Sequence, residues 1–158
     1  MDTRPSRDTA LMRTALVWAE RSTCSRLPVG VVIANNGRIL VQGYNGAPAG
    51  MTHCDHTCAC GFTDPVYQPS EVHRSDCAMV NPCDIAVHAE ANAIAWAARH
   101  GITLNESQMY TTHMPCFNCA KLIINAGVGI VTYFKPYRDQ SGVKLLTRAG
   151  VDVIGYES

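Results

Sequence analysis

The sequence predicts an α/β fold of three layers, in which a mixed five-stranded sheet lies between helices on both faces. Two observations predict it: two early β-rich segments around an Asn-Gly turn, and an alternation of helices and strands from residue 85 onward. An apolar content of 47% indicates a compact protein rather than a disordered one. A hairpin followed by alternating helices and strands forms a mixed sheet that helices cover. With 158 residues the chain is long enough for one core, so we expect a single domain over residues 1–158.

The elements follow from local patterns. Apolar residues at helical spacing predict a first helix over residues 9–21. Residues 29–34 and 38–43 are β-rich, and Asn35-Asn36-Gly37 between them tolerates positive φ, which predicts a hairpin. Trp18 and Trp96 have apolar neighbours and are predicted to belong to the core. Further along, helices alternate with strands. Helices are predicted over 88–100, 116–126 and 143–149, and each of them ends directly before a glycine. Strands are predicted over 108–112, 130–134 and 151–156.

Composition and charge exclude several classes of protein. The formal net charge is zero, so no global field would hold a long nucleic acid. No apolar run reaches the length that crosses a bilayer, and the start MDTRPSRDTA is polar rather than a signal peptide. We therefore expect a cytoplasmic protein without a membrane partner. In a reducing compartment, eight cysteines and six histidines indicate metal ligation rather than disulfides.

Regular periodicity disappears between about residues 46 and 83, where Gly, Pro, Cys and His dominate. A structureless stretch of that length is uncommon in a compact domain unless something else holds it. The sequence therefore predicts a metal-stabilised insertion within the single domain.

Two short motifs carry the chemistry, His-Ala-Glu at 88–90 and Pro-Cys-Phe-Asn-Cys at 115–119. Cys116 and Cys119 are three apart at a predicted helix start, so their sulfurs share a face and can bind one ion. His88 opens another helix and can supply a third ligand. Three protein ligands leave a fourth position for water, which is the pattern of a catalytic zinc site. Glu90 need not ligate and can move protons beside that water.

Each motif alone is unspecific. The HxE triplet is common by chance, and the PCxxC segment is also found in structural zinc half-sites and redox pairs. Together, in this order and each at a predicted helix start, they form the signature of zinc nucleobase deaminases.

Residues 9–156 resemble the deoxycytidylate deaminase family of the cytidine and deoxycytidylate deaminase superfamily. The resemblance lies in STCSRLPVGVVIANNGRILVQGYNGAPAG, THCD, VHAEANAIAWAARHG and MYTTHMPCFNCAKLIINAGV. The second half resembles many enzymes of this fold. The Gly-Tyr-Asn-Gly segment at 43–46 with Pro48 and Gly50, and the Cys24-x-Arg26 element, make the narrower assignment.

The resemblance implies a cytidine-deaminase-like fold and hydrolytic deamination of deoxycytidylate (dCMP) to dUMP and ammonia, which feeds dTTP synthesis. It implies that His88, Cys116 and Cys119 hold catalytic zinc and that Glu90 is the proton shuttle. Arg26 resembles a phosphate-binding arginine. Arg99 is a weaker candidate for a nucleotide contact or a subunit interface. The remaining substrate-binding candidates are Asn45, which resembles the residue that meets the deoxyribose, and Ala89, Thr111, Thr112, His113, Pro115 and Tyr137.

Some members of the family bind a second, structural zinc. Cys24 and Cys54 match that pattern, and on ligand type we choose Cys60 and Cys83 to complete the site. Cys58 and Cys77 come next, and several of these cysteines could instead be free thiols. A closed site of four protein ligands would replace the core that this insertion lacks.

Alternatives stay open at this stage. The substrate could be a 5-methyl or 5-hydroxymethyl dCMP, since a pocket reads one extra methyl or hydroxyl weakly. The same chemistry could act on single-stranded nucleic acid or tRNA. A zinc-stabilised binding module without catalysis is the alternative from another class. Many relatives are homohexamers that dCTP activates and dTTP inhibits, so the resemblance implies a homo-oligomer, with Mg²⁺ accompanying the triphosphate.

Overall fold

The computed structural model describes residues 4–24, 27–51 and 86–157, and most of the predicted insertion lies outside these ranges. Every element predicted within them is present, with bounds that differ by at most two residues. The helices are α1 (Arg7–Ala19), α2 (Ala89–Arg99), α3 (Phe117–Asn125) and α4 (Ser141–Arg148), and the strands are β1 (Gly30–Asn35), β2 (Arg38–Tyr44), β3 (Gln108–His113), β4 (Ile130–Lys135) and β5 (Asp152–Gly155).

The five strands form one mixed sheet in the order β2-β1-β3-β4-β5. Strand β1 pairs antiparallel with both β2 and β3, whereas β3, β4 and β5 run parallel. The hairpin between β1 and β2 turns at Asn36 and Gly37, whose φ angles are 50° and 75°. Positive φ at both central residues matches the twist of the flanking strands. The predicted fold class is confirmed.

Helices cover both faces of the sheet because side chains alternate along each strand. Val31 and Ile33 of β1 belong to the core under α2, α3 and α4. Val32 and Ala34 face the other way and pack against α1. All four side chains are fully buried. The sheet is therefore apolar on both faces, as the middle layer of three must be.

Polar contacts at its start hold α1 on the sheet. The Ser6 hydroxyl caps the helix by accepting the Thr9 amide at 3.1 Å. The Tyr110 hydroxyl of β3 donates to Asp8 Oδ1 at 2.6 Å, and both burial and this carboxylate raise the pKa of Tyr110. No helix within the described ranges is both long and apolar enough to cross a membrane.

The two tryptophans differ in how far they are buried. Trp18 packs against the α1 core, as predicted. The prediction for Trp96 is wrong: its side chain is 53% exposed and stacks on the His100 ring at 4.1 Å. The face of α2 that meets the sheet is lined by alanines, so the large ring at position 96 lies on the solvent side of the helix.

Candidate functional site

Two helices begin at the site. Strand β3 ends at His113, and Cys116 then occupies the N-cap position of α3, where its Sγ accepts the Cys119 amide at 3.5 Å. His88 occupies the N-cap position of α2 with an extended backbone and no side-chain capping bond. The ring is therefore free to face the cysteines. Because helix N-termini carry partial positive charge, both helices favour anionic groups at this point.

The donor atoms of His88, Cys116 and Cys119 all lie within 4.8 Å of one another. His88 Nδ1 is 3.4 Å from each of the two sulfurs. A tetrahedral zinc with bonds of about 2.3 Å to sulfur and about 2.0 Å to nitrogen separates such donors by roughly 3.5 Å. Donor type and spacing therefore both fit a zinc ion.

The two thiols are strongly coupled. The Cys119 thiol donates to the Cys116 sulfur, which lowers the pKa of Cys116 to about 3, aided by bonds from His88 and the Cys119 amide. The same bond, together with burial, raises the pKa of Cys119. The pair therefore favours a negative charge on Cys116, and both sulfurs would be thiolates around a cation.

Glu90 lies in the first turn of α2 and is 4% exposed. Burial raises the pKa of its carboxyl, partly offset by a bond from its own backbone amide and by the neighbouring His88. Among the described residues, the converging donors are His88 and the two cysteines, without Glu90. A buried carboxylate beside these donors but not among them is placed for proton transfer.

A cavity of about 410 Å³ opens onto these groups. Its volume is that of a site for a small molecule. Its described lining residues include no arginine or lysine. The wall consists of Cys24, Leu27 and Val29 from the loop after α1, Asn45 after β2, Ala86, His88, Ala89 and Glu90 around the start of α2, His113, Met114, Cys116 and Asn118 around the start of α3, and Tyr137 after β4.

Thr111 and Thr112 lie behind this wall and hold His113. The Thr111 hydroxyl donates to the His113 carbonyl oxygen at 2.9 Å. Thr112 Oγ1 accepts the Gly30 amide at 3.1 Å and lies 3.1 Å from His113 Nδ1. Thr112 is buried, and its hydroxyl accepts a hydrogen bond from the Gly30 amide and can donate its own hydrogen to Nδ1. With that bond His113 carries its proton on Nε2, and this is the tautomer that we expect. The threonines orient the wall residue rather than forming the wall.

Asn45 also lines the cavity, although it is 7% exposed. Its Oδ1 accepts the Val29 amide at 2.8 Å and lies 2.7 Å from the Ser22 hydroxyl. Its Nδ2 donates to the Leu27 carbonyl at 2.9 Å, which leaves one N–H for a ligand.

The structure describes only some of the other predicted site residues. Arg26 is outside the described residues, as are three of the four cysteines chosen for a structural zinc, Cys54, Cys60 and Cys83. The fourth, Cys24, is buried as a free thiol in the cavity wall. Arg99 is exposed at the end of α2, outside the described cavity wall, and Pro115 is buried directly before the first cysteine.

Five lining residues did not follow from the sequence. Leu27, Val29, Ala86 and Met114 are small or apolar side chains without a chemical signal. Asn118 did carry a chemical signal, because it is a polar residue between the two cysteines of the PCFNC motif, in the first turn of α3.

Comparison with known proteins decides the family. Residues 5–135 match the model of the cytidine and deoxycytidylate deaminase zinc-binding region. The chain belongs to the cytidine and deoxycytidylate deaminase family. This deaminase is 32% identical to the deoxycytidylate deaminase of Enterobacteria phage T2, over 90% of this chain and 88% of that one. It is 36% identical to the deoxycytidylate deaminase of Mycobacterium phage D29, over 84% of this chain and 97% of that one.

A solved structure is similar over the whole length. The crystal structure of dCMP deaminase from the cyanophage S-TIM5, in complex with dCMP and dUMP, is 33% identical with a TM-score of 0.77. The alignment covers 98% of this deaminase and 99% of that chain. The family assignment predicted from the sequence is thus confirmed, and this family is one of enzymes that bind zinc.

The threonine pair generates a prediction about His113. Burial, and next the positive charge of Lys135, lower the pKa of His113 below its ordinary value. In an NMR titration of the imidazole nitrogens we expect a midpoint below about 6.5 and the Nε2–H tautomer. Because the unfolded chain binds this proton at a higher pH than the folded one, the His113 contribution to stability falls as pH drops through about 6.5.

The Thr112→Val variant removes the hydroxyl and should release the tautomer preference while leaving the Thr111 bond intact. An Nδ1–H ring in the unmodified protein, or a midpoint above 6.5, would contradict the assignment.

Proposed function

We propose that this deaminase converts dCMP and water to dUMP and ammonia at the cavity beside His88, Cys116 and Cys119. The observation that carries the proposal is the convergence of one imidazole and two sulfurs next to a buried carboxylate that is not among the donors. The substrate follows from the relatives, which are named deoxycytidylate deaminases over most of this chain. A cavity of about 410 Å³ has room for one nucleotide rather than for a folded nucleic acid.

In the proposed mechanism, His88, Cys116 and Cys119 hold zinc, which supplies a Lewis acid that lowers the pKa of a water molecule. Glu90 takes a proton from the attacking water and delivers it to N3 of the cytosine. It then moves the remaining proton of the hydroxyl that has added to C4 onto the amino nitrogen. A C4–O bond forms, the C4–N4 bond breaks, and ammonia leaves. The buried position of Glu90 keeps bulk water away from these transfers.

We propose Arg26 as the phosphate-binding residue. It stands between Cys24 and Leu27 in the sequence, and both of these line the cavity. The described wall contributes no arginine or lysine, so the cation for a monophosphate has to come from a neighbouring residue. Arg138, which follows the wall residue Tyr137, is the competing candidate. Asn45, Ala89, His113 and Tyr137 are proposed to contact the base and sugar.

We further propose that Cys24 holds a structural zinc together with Cys54, Cys60 and Cys83. Burial of a free thiol within the loop after α1 supports this role for Cys24.

From the family resemblance we also propose a homohexamer that dCTP with Mg²⁺ activates and dTTP inhibits. Exposed apolar side chains on α2 and α3, among them Trp96 and Leu122, supply surface for such an assembly. A cytoplasmic location stays a prediction.

Glu90→Gln tests the chemistry. The amide keeps the size of the side chain and cannot accept a proton, so turnover of dCMP should fall by about 10²- to 10⁴-fold while zinc content and thermal stability stay near the parent values. Release of ammonia and dUMP is the measurement. Parallel assays with single-stranded oligonucleotides and with 5-methyl-dCMP distinguish the alternative substrates. Parent-like turnover in the variant would remove Glu90 from its role.

Arg26→Ala tests phosphate recognition, with Arg138→Ala as the matched control. Loss of a charge-assisted hydrogen bond should raise KM for dCMP by about 10- to 100-fold and leave KM for deoxycytidine, which lacks the phosphate, almost unchanged. Equal effects on the two substrates would contradict the assignment. An effect confined to Arg138→Ala would transfer the role to that residue.

Zinc stoichiometry tests the two metal sites. We expect two zinc ions per chain by elemental analysis, one in the Cys24→Ser variant and one in Cys116→Ser, because each substitution removes a thiolate ligand. A parent protein with one zinc, or a Cys24→Ser variant that keeps two, would contradict the structural site.

A further inference from the structure

The loop after α1 is bound to the end of β2 through Asn45. The Thr23 amide donates to the Asn45 carbonyl at 3.3 Å, and the Asn45 amide donates to the Val29 carbonyl at 3.2 Å. Gly46 follows and exchanges backbone hydrogen bonds with Val87, the residue before His88, at 3.2 and 2.9 Å. Asn45 is therefore held between the loop that forms one cavity wall and the segment that leads to the metal donors.

Ser22 is the side chain of this loop that acts on the Asn45 amide. Its hydroxyl lies 2.7 Å from Asn45 Oδ1 and 3.0 Å from the Asn45 carbonyl oxygen, and it accepts the Cys24 amide at 3.1 Å. Since the Cys24 N–H already points at the oxygen of Ser22, the hydroxyl hydrogen is directed at Asn45.

The bonds to Ser22 and Val29 use both acceptor positions of Asn45 Oδ1, and the Leu27 carbonyl uses one of the two Nδ2 hydrogens. A carboxamide offers two acceptor positions and two donors, so a single N–H remains. Asn45 therefore presents the cavity with a donor and no acceptor.

We propose that Ser22 is a positioning residue for substrate recognition. Its hydroxyl occupies the second acceptor position of Asn45, so that the amide meets the nucleotide only as a donor and binds the oxygen of the sugar 3′-hydroxyl. This inference rests on the proposed function and on the sugar contact assigned to Asn45. Without Ser22 the amide loses one of the bonds that hold it and regains an acceptor, so its selection for a hydroxyl oxygen weakens.

The test compares deamination of dCMP with that of 2′,3′-dideoxy-CMP, which differs only in lacking the 3′-hydroxyl. We expect the parent enzyme to favour dCMP by about tenfold or more in kcat/KM, as one hydrogen bond accounts for. Ser22→Ala should lose most of that preference through a higher KM for dCMP, with kcat within about threefold of the parent. Ser22→Thr keeps the hydroxyl and should restore the preference.

Two control variants separate positioning from general stability. Ser107→Ala likewise removes a serine hydroxyl, here a buried one that bonds the Leu104 carbonyl at 2.6 Å, and Ser107 lies outside the described cavity wall. It should lower thermal stability without changing the substrate preference. Asn45→Ala should abolish the preference, and adding Ser22→Ala to it should have no further effect on the ratio.

The outcomes are distinct. An unchanged preference in Ser22→Ala, or the same change in Ser107→Ala, would overturn the role of Ser22 while the proposed function stands. An unchanged preference in Asn45→Ala would overturn the sugar contact and the Ser22 inference with it. If the parent enzyme releases no ammonia from dCMP, the proposed function itself fails.

Discussion

The site depends on the meeting of two helix starts that are 28 residues apart in sequence, counted from His88 to Cys116. His88 and Cys116 occupy the two N-cap positions, and Cys119 lies in the first turn of α3. Backbone amides at these helix starts lack intrahelical partners and favour negative charge. One imidazole and two sulfurs thereby converge at 3.4 Å without a dedicated loop to carry them. The positions of both helices on the sheet, rather than local flexibility, fix the geometry of the donors.

Two glycines allow the backbone around these helix starts to pack closely. A side chain at Gly43 of β2 would place its Cβ 2.6 Å from the Ala89 carbonyl oxygen, next to His88. A side chain at Gly142 in α4 would meet the backbone oxygens of Pro115 and Cys116. An added methyl group at either position would displace the segment that carries a metal donor, and interiors resist such overpacking. The strand at one edge and the last helix thus support the site without contributing a donor.

Sequence patterns predicted the sheet, the hairpin and both helix starts because each depends on short-range periodicity or on a turn residue. They could not predict how Thr111 and Thr112 are used. The resemblance implied that they bind substrate, whereas in the structure one hydroxyl bonds the His113 carbonyl and the other contacts the His113 ring. The prediction for Trp96 was wrong for a related reason. Helical spacing shows which residues share a face, but only the packed sheet shows which face is covered. Ser22 belongs to no sequence motif, and its contact with Asn45 is visible only in the folded chain.

Glu90 separates an enzyme from a zinc-held binding module. A structural zinc site surrounds its ion with four protein ligands and gains nothing from a further carboxylate. Taking a carboxylate out of water is costly, and burial raises the pKa of Glu90 even though its own backbone amide and His88 offset part of that cost. The Glu90 carboxylate lies in the first turn of α2, directly after the N-cap residue His88. Glu90 lines the cavity and is not one of the converging donors. Such an arrangement adds nothing to a structural zinc site, whereas a reaction that moves protons beside these donors needs it.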